Sequence, residues 1–415
     1  MPESSQGSSR FQGTLAPLGI PDFRNLLISN TLWWQGMWME MIVVGWLVLE
    51  LTDSAWQVAL IGFHRSIPLL ITGFISSPLA NRLGRIRLIL IAQGLSLFVI
   101  AGITLLLWAD RLAFWHLAVG AALFGICWSL NWTARRALVP DLVGKSRTVE
   151  AMLLESFTQN ISRVLGPFAS GSLIAVLGAR GCYVAITVIS VTSLLIMLRV
   201  KGQGVPTPEK PTASPWTLMV EGLRYMRHNQ PIIGDLIITV IMNFLAFPYM
   251  TLLPVFARDV LGQGPVGLGI LGAGNGTGAF LGLYLINRLR HHLSRGWIFA
   301  IGSTLQAAAL FGFSISTLFS LSLTLLILSG VGQACFSVMQ SAIMLLAARD
   351  DMRDRAMGSL VLAIGSGPLG RLQIGALAEA FGAPFALGLQ TAVAAGAVLI
   401  VTAALPGFRQ RIKKK

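Results

Sequence analysis

Apolar runs long enough to cross a bilayer follow one another along almost the whole chain. They cover Leu26–Leu51, Trp56–Ala80, Leu88–Trp108, Ala113–Thr133, Ala151–Leu177 and Tyr183–Leu198. After a gap come Pro231–Val255, Val266–Leu285, Trp297–Phe313, Leu318–Leu346, Met357–Phe381 and Ala383–Leu405. A spanning helix needs about 20 apolar residues. Each run must satisfy its own backbone polar groups, so helices are the spanning element. Tyr183–Leu198 and Trp297–Phe313 are short and are expected to extend a turn into their flanks. The fold class expected is an all-α polytopic membrane protein, with twelve transmembrane helices in two pseudo-symmetric six-helix bundles.

Composition excludes the soluble alternatives. Of 415 residues, 54% are apolar and only 12% charged, about half the usual charged share of a soluble domain. Cys127, Cys182 and Cys335 are too scattered for a disulfide framework or a metal site. The formal charge of +14 suggests basic loops against anionic lipid rather than nucleic acid.

Five segments are expected. Residues 1–19 read as a disordered cytosolic tail and 20–200 as the first bundle. Residues 201–230 read as a cytosolic linker, 231–408 as the second bundle and 409–415 as a basic tail. The linker holds Pro206, Pro208, Pro211 and Pro215. Within it, Trp216, Met219, Val220, Leu223 and Met226 fall at helical spacing, as in an interfacial amphipathic helix. Twenty-five of the 31 Lys and Arg fall in segments assigned to one side, against Arg111, Arg180 and Arg258 on the other. The positive-inside rule therefore puts both termini in the cytosol.

The halves repeat. Leu79-Ala80-Asn81-Arg82-Leu83 matches Leu285-Ile286-Asn287-Arg288-Leu289, 206 residues on. Leu165-Gly166, Gly171, Leu173, Gly178 and Ala179 recur 204 residues later as Leu369-Gly370, Gly375, Leu377, Gly382 and Ala383. Parallel six-helix repeats are the layout of a rocking transporter.

Three stretches resemble the major facilitator superfamily. Leu79, Asn81, Arg82, Gly84 and Arg85 look like its cytosolic loop motif, with Ser77 for the first Gly and Asn81 for the family's acid. The resemblance implies a gate role in which the acid is missing. Gly166, Pro167 and Gly171 resemble the helix 5 motif of drug/proton antiporters, where a proline removes a backbone donor and glycine allows close packing. Thr133–Val143 and Glu221–Arg227 are similar to the bacterial efflux branch that includes enterobactin and macrolide exporters. The resemblance implies the major facilitator fold and an exporter.

Polar residues at membrane depth are costly and need a reason. Glu40 lies deep in the first run and reads either as a proton-titrating carboxylate or as a structural acid paired to an Arg. Arg65 could attract an anionic substrate, hold the charge of Glu40, or snorkel to the outer interface. Trp128, Asn131 and Arg135 share a face of the fourth run, with Trp132 beside it, which suits an amphipathic ligand. Arg163 and Arg371 are cavity candidates at depth. Asn243, Gln333 and Gln340 read as cavity hydrogen-bonders or as packing contacts. Glu155 and Asp235 are expected at helix ends, in the interface, and Glu379 near the outer end of its helix.

No Walker sequence, metal-ligand spacing or catalytic constellation is present. The expectation is therefore neither an enzyme nor a cofactor or metal protein. It is an inner-membrane secondary transporter that exports a drug-like or siderophore-like molecule by alternating access, with proton antiport. The expected partners are a small-molecule substrate, protons and the lipid bilayer, with a monomer as one option. A lysophospholipid translocator of the same fold and a non-transporting membrane sensor are the alternatives.

Overall fold

The computed structural model describes residues 15–201, 229–349 and 352–410. The side chains of 69–71, 73–78, 81, 145 and 354–355 lie outside that description, as do the proposed amphipathic helix at Trp216–His228 and the side chain of Asn81.

Every long element among the described residues is a helix. The first four are α1 (Pro21–Thr52), α2 (Ala55–Leu83), α3 (Arg85–Trp108) and α4 (Phe114–Val143). Thr148–Met197 runs without a loop but breaks at Gly178, where φ is +68°. We number its arms α5 (148–177) and α6 (179–197). The second half holds α7 (Gln230–Val260), α8 (Pro265–Leu289), α9 (Arg295–Ile315), α10 (Phe319–Ala347), α11 (Ala356–Phe381) and α12 (Ala383–Ala404). Twelve long helices result among the described residues, all but α2 lying within helices long and apolar enough to cross a membrane, and the short ninth run gains flanking residues at both ends.

The two repeats meet their test at the backbone. Gly178 and Gly382, paired by the sequence repeat, both take positive φ, +68° and +87°. Each separates the fifth from the sixth helix of its half. A side chain at either position would be strained there. Pro167, by contrast, keeps helical dihedrals.

The structure redraws several ends. The fourth run was expected to stop at Thr133, but α4 continues to Val143, so the helix that carries Arg135 also holds Arg136 and Pro140. Helix α7 contains π-helical turns at Met242–Ala246 and Phe256–Val260, on either side of Pro248 and Pro254. Proline has no N–H to give the ladder. In α11, two arms, Arg353–Ile364 and Gly367–Phe381, meet at Gly365 and Ser366.

Contacts divide the chain into two units. One holds Met1–Leu47 and His64–Pro208. The other holds Val48–Phe63 and Glu209–Lys415, so the hairpin between α1 and α2 packs with the later helices. In that second unit, Arg258 pairs with Asp53 and also bonds the Leu49 carbonyl at 3.2 Å. Glu379 accepts from the Ser54 hydroxyl and the Trp56 N–H, both at 3.1 Å. In the first unit, a core gathers Phe23, Leu26, Leu88, Ile89, Leu130, Leu138 and Met197. Outward faces stay apolar: Phe98, Val176 and Ile400 are all more than two-thirds exposed. That is the pattern of helices solvated by hydrocarbon rather than water.

Candidate functional site

Within the first unit, three helices converge on a buried charge pair. Glu40 of α1 is 1% exposed. Arg65 of α2 donates to it through a guanidinium nitrogen. The Arg65 guanidinium also lies 5.4 Å from the Phe124 ring centroid on α4, within cation–π reach. Gly125, next in α4, explains how the helices come so close. A Cβ there would overlap the Arg65 carbonyl, so only glycine admits α2 at this level. Arg65 thus turns inward to Glu40 rather than outward to an interface.

About two to three helical turns further along α4 lies a second cluster. Arg135 is 3% exposed and Asn131 1%. They sit four apart, one above the other on the helix, and Arg135 Nε donates to Asn131 Oδ1 at 2.9 Å. Both terminal nitrogens of Arg135 and the amide nitrogen of Asn131 have no hydrogen-bond partner among the described residues. Glu155 of α5 faces the same notch and accepts from Asn30 Nδ2 of α1 at 2.7 Å. Sequence reasoning placed Glu155 in the interface. It is instead drawn into the bundle by an α1 residue 125 positions away. Trp34 and Trp132 close the notch in an edge contact of 5.4 Å, and Arg136 stacks 4.0 Å from the Trp132 ring centroid.

The other first-unit candidates are dispersed. Trp128 is half-buried and is not part of this notch. Arg163 is half-buried with its guanidinium 5.7 Å from the Trp38 ring centroid. Gly166 packs α5 against α1 so closely that a Cβ would overlap Trp38. Nearby, Ser170 donates to the Met39 carbonyl at 2.9 Å, and Pro167 and Gly171 are buried beside them. In the loop motif, Leu79 packs on the first core, Gly84 takes φ +85° and Arg82 is exposed. Arg85 donates to the Ala137 carbonyl at 2.7 Å and pairs with Asp141, fastening α3 to the end of α4.

In the second unit, Gln340 of α10 donates to Thr239 Oγ1 of α7 at 2.7 Å. Asn243 donates to the Thr239 carbonyl at 2.9 Å. Asn243 and Arg371 both flank Gly367, within 4 Å of where its Cβ would stand. The structure therefore brings Asn243 and Arg371 together and ties Gln340 to the same stretch of α7. Asp235 corrects another expectation. It is fully buried rather than interfacial, and neither carboxyl oxygen has a hydrogen-bond partner among the described residues. Its α7 neighbours Ile232 and Leu236 pack into an apolar cluster with Met344 and Leu360.

Twelve helices and a buried charge pair are now in view, and similarity to known proteins decides the family. The family described as transmembrane secretion effector matches residues 12–414. The chain belongs to this family, a branch of the major facilitator superfamily. The enterobactin exporter EntS of Salmonella typhimurium is 25% identical over 402 residues, 94% of each chain. The multidrug efflux pump Tap of Mycolicibacterium fortuitum is 26% identical over 362 residues, 84% of this chain and 87% of Tap. The staphyloferrin A transporter of Staphylococcus aureus is 27% identical over 235 residues, and the match spans 58% of that protein. Among solved structures, a peptide transporter POT bound to sulfate superposes with a TM-score of 0.78 at 13% identity, covering 95% of this chain and 96% of that one. A bacterial homologue of the lysosomal transporter Spinster gives 0.72 at 13%, covering 95% and 99%. At those identities the likeness shows the fold alone. The chain is thus a multi-pass membrane protein of a transporter family, and its family and relatives are transporters rather than enzymes.

Proposed function

We propose that this transporter exports a small organic molecule, siderophore-like or drug-like, across a bacterial inner membrane by alternating access, driven by proton influx. Enterobactin and multidrug exporters among its relatives support the cargo class. The Glu40–Arg65 pair carries the coupling reading. A carboxylate buried to 1% at membrane depth is expensive and is retained for a reason. Protonation of Glu40 dissolves the ion pair and frees Arg65, and loss of the proton restores it. One carboxyl thereby exchanges proton occupancy for a change in how α1 and α2 are held. The excess of Lys and Arg in one set of loops supports cytosolic termini.

The test uses proteoliposomes loaded with enterobactin or ethidium under an imposed pH gradient. Glu40→Gln keeps an oxygen that accepts from Arg65 but cannot titrate. Gradient-driven export is expected to fall to background, while exchange down a substrate gradient survives. Wild-type, pH-dependent export by the variant refutes proton coupling at Glu40. Failure of the unaltered protein to move either compound refutes the cargo class.

A further inference from the structure

The notch at Arg135 is built to receive acceptors. Its floor presents two terminal guanidinium nitrogens and the Asn131 amide nitrogen, all donors and all without a partner among the described residues. The Asn131 oxygen is already engaged by Arg135 Nε at 2.9 Å. This fixes which way the amide faces and leaves the two terminal guanidinium nitrogens buried and without a hydrogen-bond partner among the described residues. A buried polar group left unpaired is costly, and a buried charge more so. Glu155 lines the same notch, yet it lies beyond ion-pair distance of Arg135 and spends one oxygen on Asn30. The space beside these donors is about 20 Å³, enough for about one water molecule or the oxygens of one small group. The rim is aromatic and cationic: Trp132, half-exposed, stacked 4.0 Å under the exposed Arg136 guanidinium.

The geometry points to a head-group site for a planar oxyanion, a carboxylate or catecholate, whose aromatic body rests on the Trp132–Arg136 rim. Two parallel N–H donors of a guanidinium match two oxygens of such a group, and a flat ring gains from stacking on indole. This rests on the exporter reading and narrows its cargo to aromatic acids. Glu155 is the site's competitor, a negative wall that an anionic ligand must approach. The same donors would suit a lipid phosphate, and we commit to the small aromatic acid.

Binding can be read without transport. The full-length protein in phosphatidylcholine nanodiscs is titrated calorimetrically with salicylate and with salicylamide, its neutral counterpart. Salicylate is expected to bind at least tenfold more tightly. Arg135→Gln should lose at least tenfold in salicylate affinity and little for salicylamide. Glu155→Gln should tighten salicylate by severalfold. Trp132→Leu should erase the preference of the site for salicylate over cyclohexanecarboxylate. If Arg135→Gln does not fold, Arg135→Lys asks the same question, since it keeps the charge and loses the fork. Equal binding of salicylate and salicylamide overturns the site, as does undiminished affinity in folded Arg135→Gln or Arg135→Lys. Displacement of salicylate by phosphatidylglycerol added to the discs also overturns it, in favour of a lipid headgroup. Export of enterobactin or ethidium without salicylate binding defeats only this inference. Salicylate binding without export of either compound defeats only the exporter reading.

Discussion

Arg65 and Arg135 lie in the same unit and are both removed from solvent, yet the fold treats them differently. Arg65 gives a terminal nitrogen to Glu40 and its charged face to Phe124. Arg135 gives Nε to a neutral amide on its own helix and its guanidinium lies 6.0 Å from the Trp33 ring centroid, while both terminal nitrogens have no hydrogen-bond partner among the described residues. The difference lies in what the facing helix brings. Opposite Arg65, α1 supplies a carboxylate at contact distance. Around Arg135, α5 supplies Glu155, but Asn30 of α1 holds it aside. A closed pair resists removal of either member, because the survivor is left as an uncompensated charge. Arg135 has no ion-pair partner at contact distance, but Glu155 lines the same notch and the Trp33 ring centroid lies 6.0 Å from its guanidinium, so less is stranded when it is removed. The two positions are therefore expected to differ in how much stability each carries.

The comparison breaks most readily at Arg65. Arg65→Ala strands Glu40 in the apolar bundle and is expected to destabilise by about 3–5 kcal/mol, read as a large fall in melting temperature of the purified protein. The double variant Glu40→Leu with Arg65→Leu should regain much of that loss while export stays absent. A melting temperature for Arg65→Ala equal to that of the unaltered protein would mean that the pair is not held in solution.

Geometry around the pair provides a second, smaller effect. Gly125→Val pushes against the Arg65 carbonyl and should destabilise by roughly 1–3 kcal/mol, as overpacked interiors do. Gly94 has nothing within 4 Å of its Cβ position, so Gly94→Ala should be neutral or slightly stabilising. Equal melting shifts for the two variants would remove the close approach as an explanation for the glycine in α4.

Arg135→Gln sharpens the contrast from the other side. It should cost about 2 kcal/mol or less, since the losses are one hydrogen bond to Asn131 and the cation–π approach to Trp33 at 6.0 Å. A collapse like that of Arg65→Ala would show that Arg135 is a structural partner and not an open donor.

The smallest change is expected at the surface pair Arg85–Asp141, whose side chains are 16% and 28% exposed. Asp141→Asn should shift stability by about 1 kcal/mol or less, and high salt should shrink the difference further. A salt-insensitive loss of several kcal/mol would make this fastening as important as the buried pair.

Spans, repeats and depth were legible from the sequence. Apolar run length depends only on consecutive residues and bilayer thickness, which is why the twelve spans appear where the hydropathy places them. The Gly178 and Gly382 breaks were visible as repeat matches, because positive φ restricts the residue type locally. The depth of Glu40 followed from its position along a single helix. Helix ends were less legible: α4 runs ten residues past its apolar stretch, through Arg135, Arg136 and Pro140, because neighbouring helices and not hydropathy decide where it can stop.

Partners were beyond the sequence. A position along a helix gives depth, but what lies opposite depends on how distant helices are rotated and how near they come. Asn30 meets Glu155 across 125 residues and Gln340 meets Thr239 across 101. Asp235, near the start of α7, looked interfacial until the packing of α7 left it fully buried with no hydrogen-bond partner among the described residues. The chain by itself determined that a membrane transporter of this family would form. Tertiary packing decided which of its buried charges meets an opposite charge at contact distance and which has unpartnered nitrogens among the described residues, because the free energy of a charge at low dielectric is set by the groups a few ångströms away and not by its neighbours in sequence.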